Sequence, residues 1–409
     1  MRLLIITQYF WPENFKINDL ATELCERGHE ITILTGLPNY PEGKIYSNFS
    51  NFPRDYSRYN GVDIVRAPIF PRGASKFSLL VNYLSFAVLA SIWGVWKFRK
   101  KNFDAIFVFQ PSPITVGIPS SILRRSKKIP VIFWVQDLWP DTLYAVGVLK
   151  NKFLLKIVGI LVAYVYQRCD TILAQSKSFI AEIKKYAHES TPVIFFPNWA
   201  EFFFSTVNTT AAPEIPVLEG GFNVMFAGNI GEAQDFPAIL AAAEILRGSS
   251  NIQWIIVGGG RMTDWVKSEI QKRDLQQNIK MIGRFPGERM ASFFYHADAL
   301  LISLKDDPIL SMTLPGKVQP YLTAGKPILA MMNGEGRRAI ENSGAGLACS
   351  AGNSVELANC VLRLSTMSKE ERAEMGMKAI RYGRLNFDRL TLITTLEEII
   401  SKAIQDASS

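Results

Sequence analysis

The chain has 409 residues, 48% hydrophobic and 20% charged, a size for two domains of roughly 200 residues and a composition that excludes a mainly disordered chain. Residues 1–200 carry 24 Lys and Arg against 14 Asp and Glu, a net +10, and the rest carry 21 against 23, a net −2; the basic half is expected to meet a phosphate, a nucleic acid or a membrane surface. Cys25, Cys169, Cys349 and Cys360 form no C-x-x-C pair and His29, His188 and His296 lie far apart, which argues against a zinc site or disulfide scaffold and for a reducing compartment.

The start, MRLLIITQYF, shows no signal-peptide cleavage pattern, and its apolar run 3–7 reads as a buried parallel strand. A helix is expected from Asn18 to Arg27, then strands at 31–36, 62–68, 104–110, 130–137, 170–176 and 192–198. This alternation predicts a doubly wound α/β sheet. Residues 201–221 are polar, carry Pro and Gly, and read as a linker. The pattern then restarts: strands at 222–231, 252–260, 279–285, 298–304, 327–331 and 345–350, with an Ala-rich helix at 237–247. Two Rossmann-like domains facing a cleft are therefore expected, 1–200 and 222–384, with ligands at the carboxyl ends of the strands. A last helix, 385–405, bears Leu390, Ile393, Leu396, Ile399 and Ile400 on one stripe; packing back on the first domain would cover it.

Residues 77–96 hold no charge and are followed by KFRKK, 97–101. The length permits a membrane span. Strands on both sides must share one sheet, however, so a helix lying in the membrane interface is the expected arrangement, with Tyr83, Trp93 and Trp96 as interface residues. Residues 153–166 are a second apolar segment.

The loop QYFWPENFKIND (8–19) joins a strand to a helix without a G-x-G-x-x-G, so the usual NAD fingerprint is missing; Glu13 lies in it, and GLPNYPEGK (36–44) is a second such loop, with Asn39. WVQDLWPD (134–141) places Asp137 at a strand's carboxyl end, where it either faces a crevice or caps the next helix. GNIG (228–231) and GGGR (258–261) are turns whose backbone amides can approach a phosphate. In LPGKVQPYLTAGKP (314–327), a helix is expected to start at Thr313 or Pro315, with Lys317 in its first turn. The helix dipole favours anions there, so a lysine at that place points to a bound anion, a diphosphate being the natural one.

Together QYFWPE (8–13), GLPNYPEGK (36–44), QPSPITVG (110–117), QDLWPD (136–141), FFPNW (195–199), GNIGEAQ (228–234) and PGKVQPYLTAGKPI (315–328) resemble the retaining GT-B glycosyltransferases of family 4. More closely, they resemble the bacterial branch building O-antigen, capsule and colanic acid, fucosamine transferases included. The resemblance implies an acceptor domain at 1–200, binding an undecaprenyl-diphosphate-linked sugar at the inner face of the cytoplasmic membrane. It implies a second domain binding a nucleotide-sugar, most often UDP-linked, as co-substrate, with no cofactor, no metal and no nucleic acid. Lys317 and the turn Gly228, Asn229, Gly231 would hold the diphosphate, helped by Arg261 or Arg284, with the base near Arg284 and Phe285. Glu13, Asn39 and Asp137 would meet the acceptor. Two glutamates of the family pattern are Met312 and Pro320 here, leaving Gln319 as the replacement contact to the ribose; Asn229 and Gln234 stand for its Arg and Lys, and Gln136 for its histidine. A UDP-N-acetylhexosamine 2-epimerase and an inactive scaffold of a polysaccharide complex are alternatives on the same architecture.

Overall fold

The computed structural model describes all residues except 74, 146–148, 201–203, 205–208, 216–219 and 409. Runs such as Leu3, Leu4, Ile5 and Ile6, all with no exposed surface, satisfy themselves in a sheet covered on both faces. Such runs become β1 (Arg2–Ile6), β2 (Glu30–Thr35), β4 (Val62–Arg66), β5 (Ala105–Gln110), β6 (Val131–Val135), β7 (Thr171–Ala174) and β8 (Val193–Phe195), preceded at the edge by the two-residue β3 (Arg58–Tyr59). The order is β3-β4-β2-β1-β5-β6-β7-β8, parallel except for β3 against β4. That edge hairpin has no strong hydrophobic run and was not expected from the sequence.

The second sheet contains β9 (Phe222–Asn229), β10 (Ile252–Gly259), β11 (Ile279–Gly283), β12 (Ala299–Ser303), β13 (Ile328–Met331) and β14 (Gly346–Cys349). All its pairings are parallel, in the order β11-β10-β9-β12-β13-β14. Both sheets are doubly wound, reversing between β1 and β5 in one and between β9 and β12 in the other, and such reversals open a crevice at the strands' carboxyl ends.

The chain divides into Met1–Phe196 with Ile393–Ser409, and Pro197–Leu392. Much of the expected linker lies outside the described residues, but Ala212 and Ile215 are buried in the second unit's core. The boundary expected at 385 moves. Helix Lys369–Phe387 continues to Phe387, whose ring is buried there, and Asp388 accepts a hydrogen bond from Thr391 N (2.8 Å) as helix Arg389–Ser408 begins. Ile393, Leu396 and Ile400 of that last helix are buried, whereas Leu390 is exposed. Glu397 accepts from Arg27 (2.7 Å) and His29 (2.6 Å), which fastens the helix to the first unit.

Helix Lys76–Lys97 is capped by Ser75, whose hydroxyl accepts from Ser78 N. Its inner face buries Phe86, Ala87 and Ala90, and Gly94 packs where a Cβ would lie 3.1 Å from both Leu34 and Leu123. Its outer face leaves Phe77, Leu80, Leu84, Val88, Ile92 and Trp96 exposed. It is the one helix among the described residues long and apolar enough to cross a membrane. Since β4 before it and β5 after it share one sheet, it lies along the domain.

Candidate active site

In the second unit, β9 and β10 stay in register to their ends, with Gly258 opposite Gly228 and Gly259 opposite Asn229. A Cβ at Gly258 would fall 1.9 Å from the Gly228 carbonyl oxygen, so only glycine permits this approach. The turn continues through Ile230 N donating to Gly259 O (3.0 Å) and Met262 N to Ile230 O (3.1 Å). Gln234 Oε1 accepts from Gly231 N (3.1 Å) and Asn229 Nδ2 (3.4 Å). GNIG therefore does not open directly into a helix. A 3-10 turn, Glu232–Gln234, intervenes, and Asp235 in left-handed backbone precedes helix Phe236–Ile245.

Helix Val318–Ala324 begins later than expected: Thr313 and Pro315 lie between it and the short helix Pro308–Met312. Lys317 is thus the N-cap, outside the first turn. Tyr321 fixes this helix to β9, its hydroxyl accepting from Ala227 N (2.9 Å) and donating to Ala227 O (3.2 Å). The anchor lays the Lys317 side chain across the end of β9, with Nζ 3.3 Å from the centre of the Phe226 ring. Nζ is shielded from solvent and has no hydrogen-bond partner. Burial drives its pKa well below that of an ordinary lysine.

Beside Lys317 is a cavity of about 240 Å³, lined by Gln234, Ile302, Ser303, Leu304, Thr313 and Gly316 among others. It opens at the carboxyl end of β12, where the strand order reverses. Ser303 is 1% exposed and its hydroxyl is also unpartnered. A buried amine and a buried hydroxyl without partners are costly unless something polar meets them. Ser303 and Phe226 were invisible to motif reasoning because β12 and β9 read as plain apolar strands; Tyr321 lies inside the 315–328 motif, which does not reveal its bond to β9. The serine ending DALLIS was the one available signal.

The other expected donor residues are placed less simply. Arg261 and Arg284 are exposed, after β10 and β11. Neither lines the Lys317 cavity. Phe285 is half-buried, its ring 4.7 Å from that of Phe293 and under the guanidinium of Arg289 (5.3 Å). Gln319 is 1% exposed with both amide atoms unpartnered, and it does not line that cavity.

In the first unit the expected residues follow the carboxyl ends of β1, β2 and β6. Glu13 is 2% exposed, and burial pushes its carboxyl up to about 7. One oxygen accepts from Asn39 N (2.8 Å) and Tyr40 N (2.7 Å), the other from Phe10 N (3.3 Å). With both oxygens so engaged, Glu13 joins the two loops. Asn39 likewise turns inward, accepting from Arg72 N (3.0 Å) and donating to Leu37 O (2.8 Å). Asp137 accepts from Trp139 Nε1 (3.2 Å). Burial raises its pKa, opposed by the neighbouring polar groups of Thr142, Trp139 and Ser112. Tyr83 lies near Ser112 and Asp137, an arrangement the sequence did not reveal because 29 residues separate Tyr83 from Ser112.

Residues 15–199 match the family model described as Glycosyl transferase 4-like domain, and residues 209–382 match Glycosyl transferases group 1. With two doubly wound parallel sheets, the protein is a glycosyltransferase of the GT-B fold. Within that class the chain is built of a glycosyl transferase 4-like domain followed by a group 1 domain. The chain is 24% identical over 302 residues to Escherichia coli K12 WcaI, named as a colanic acid biosynthesis glycosyl transferase, covering 70% of this chain and 72% of WcaI. Anabaena Alr3699/HepE, solved in complex with UDP, superposes with a TM-score of 0.72 at 14% identity, over 98% of this chain and 100% of that one. WaaG, a glycosyltransferase involved in lipopolysaccharide biosynthesis, superposes with a TM-score of 0.63 at 14% identity, over 98% and 99%. At such identities the structural likeness concerns the fold.

Proposed function

We propose that the protein transfers a sugar from a UDP-linked donor to a lipid-diphosphate-linked saccharide, with retention of configuration, in surface polysaccharide biosynthesis. The buried, unpartnered Lys317 Nζ beside the cavity at the β9–β12 reversal carries this reading. A nucleoside diphosphate with its β-phosphate against Lys317 and the Gly228–Gly231 turn supplies the missing partner. As the bond between the anomeric carbon and the phosphate oxygen breaks, charge grows on the leaving diphosphate, and a preorganised amine there stabilises the transition state. The acceptor hydroxyl forms the new glycosidic bond and its proton passes to the leaving phosphate, so no metal or side-chain base is required. Ser303 supplies a hydroxyl to the same diphosphate.

The acceptor belongs to the first unit, near Asp137, Tyr83 and Ser112. An undecaprenyl-diphosphate carrier at the inner face of the cytoplasmic membrane accords with the exposed apolar stripe of helix Lys76–Lys97, which rests in the interface with Lys97 and Arg99 against Trp96. WcaI and HepE support the polysaccharide setting and the UDP donor as relatives only.

The test screens UDP- and GDP-sugars by mass spectrometry with a lipid-diphosphate monosaccharide. Lys317→Ala is expected to lower turnover by at least ~100-fold, the scale of removing one transition-state donor. Turnover equal to that of the unaltered enzyme removes the diphosphate assignment.

A further inference from the structure

A second cavity in the first unit lies apart from Glu13, Asn39 and Asp137. It is a groove of about 850 Å³, lined by Val95, Ile122, Arg125, Lys128, Tyr164 and Arg168 among others. Pro130 and Asp170 also line it, and they immediately precede β6 and β7, so it opens at the amino ends of the strands. The expected acceptor residues stand at the carboxyl ends. Helix Lys76–Lys97, of 22 residues, spans that separation, about 33 Å at 1.5 Å per residue.

Two features define what fits. The first is charge. Arg124, Arg125, Lys128 and Arg168 line the groove against one carboxylate, Asp170. Asp170 is already engaged by Arg124 (2.6 Å) and Val131 N (2.8 Å). Arg168 is held over the Tyr164 ring (3.8 Å) by its bond to Tyr164 O (2.8 Å). The side chains of Arg125 and Lys128 are exposed and make no hydrogen bond or ion pair among the described residues, Lys128 bonding only through its backbone N–H to Arg124 O (2.7 Å). The second is apolar continuity. The exposed stripe of helix Lys76–Lys97 closes with Val95 and Trp96. The second apolar helix, Lys152–Tyr166, exposes Phe153, Ile157, Ile160 and Tyr164, and Tyr164 ends that stripe. Val95 and Tyr164 both line the groove, so two apolar faces run into one basic pocket.

We propose that this groove seats the headgroup of an anionic phospholipid, with Arg125 and Lys128 on the phosphodiester and the acyl chains along the stripes reaching Val95 and Tyr164. It is an anchoring site, separate from the acceptor's diphosphate by the length of a helix. It rests on the membrane reading above and adds to it a preference for anionic lipid and the residues that confer it. Unpaired cations at a negative surface each contribute about 1 kcal/mol, a roughly fivefold gain in binding.

The test is co-sedimentation of the full chain with vesicles of phosphatidylcholine alone or of phosphatidylcholine with phosphatidylglycerol, beside titration with a short-chain phosphatidylglycerol below its micelle concentration and with inorganic phosphate. Arg125→Gln with Lys128→Asn suits the exposed helix end, Asn tolerating the left-handed backbone at 128 (φ 55°). This double variant is expected to lose roughly 30-fold in affinity for the anionic vesicles and to keep its affinity for neutral ones. Ile92→Glu, on the stripe, is expected to weaken binding to both. Equal binding of the double variant and the unaltered protein to anionic vesicles overturns the proposal, as does inorganic phosphate binding as tightly as the short-chain lipid. If the unaltered protein ignores both vesicles, the membrane reading falls; short-chain lipid binding that the double variant loses then still upholds the headgroup seat, and its absence removes that too.

Discussion

Gly228 and Lys317 share a space that only a glycine leaves open. A Cβ at 228 would stand 2.8 Å from Lys317 Cε and 3.2 Å from its Nζ, and the backbone there has φ +133°. Gly228→Ala must therefore displace the lysine and strain the turn. It is expected to cost about 1–3 kcal/mol of stability and to reduce turnover, read by thermal unfolding and by sugar transfer from a UDP donor. Gly248→Ala, at a position with open space around it, is the control that should leave both unchanged.

The burial of Lys317 also predicts how binding depends on pH. Its pKa lies well below the ordinary lysine value, so the free protein holds a neutral amine over a range where an exposed lysine is charged. A diphosphate restores the charge, and binding takes up a proton. UDP affinity should fall as pH rises through this range. Calorimetry in two buffers of different ionisation enthalpy should show proton uptake for the unaltered protein and none for Lys317→Met. Equal uptake by both would place the titrating group elsewhere.

Tyr321 holds the lysine's helix against β9 through both polar groups of Ala227. Tyr321→Phe leaves a buried amide without its acceptor, an expected loss of about 1–3 kcal/mol. Urea unfolding measures it. Because Lys317 is positioned through this contact, transfer should weaken more than it does for a change of similar stability cost elsewhere, such as Ile340→Val in the same core.

Glu13 should behave as a clamp. Glu13→Ala strips acceptors from the amides of Asn39 and Tyr40, an expected cost of about 1–3 kcal/mol. Its native pKa of about 7, raised from an ordinary 4.5, means that the folded state holds this proton more tightly than the unfolded one. Its contribution is full below 4.5 and declines as pH rises to about 7. Glu13→Gln, which keeps an acceptor oxygen, should flatten that decline in denaturant midpoints measured across the interval.

Glu397 has the opposite sign. Burial raises its pKa, and the hydrogen bonds from His29 and Arg27 outweigh burial to leave it lowered. Its contribution is present above the ordinary carboxylate range and is lost as pH falls through the lowered value. Glu397→Ala is expected to cost about 1 kcal/mol, seen as faster amide exchange across the last helix.

The order of elements was legible because period-2 and period-3.6 patterns reflect which side chains leave water, a property of short windows. Thus 3–6 and 131–135 read as buried strands at once. Positions that depend on one side chain's partner were not. Glu13 reads as a free carboxylate until the loop at 39–40 closes on it. Lys317 reads as a helix's first-turn residue until Tyr321 fixes where that helix starts.

The sequence by itself determined two α/β domains, an apolar helix with a basic tail, and the motifs that resemble family 4 glycosyltransferases, since hydrophobic periodicity and glycine or proline turns act locally. Only the tertiary structure decided that Lys317 is buried and unpartnered, that Ser303 joins it, that Glu13 is spent on backbone amides and that two apolar helices end at one basic groove. Desolvation and hydrogen-bond satisfaction are set by groups far apart in the chain, and no window of sequence contains them.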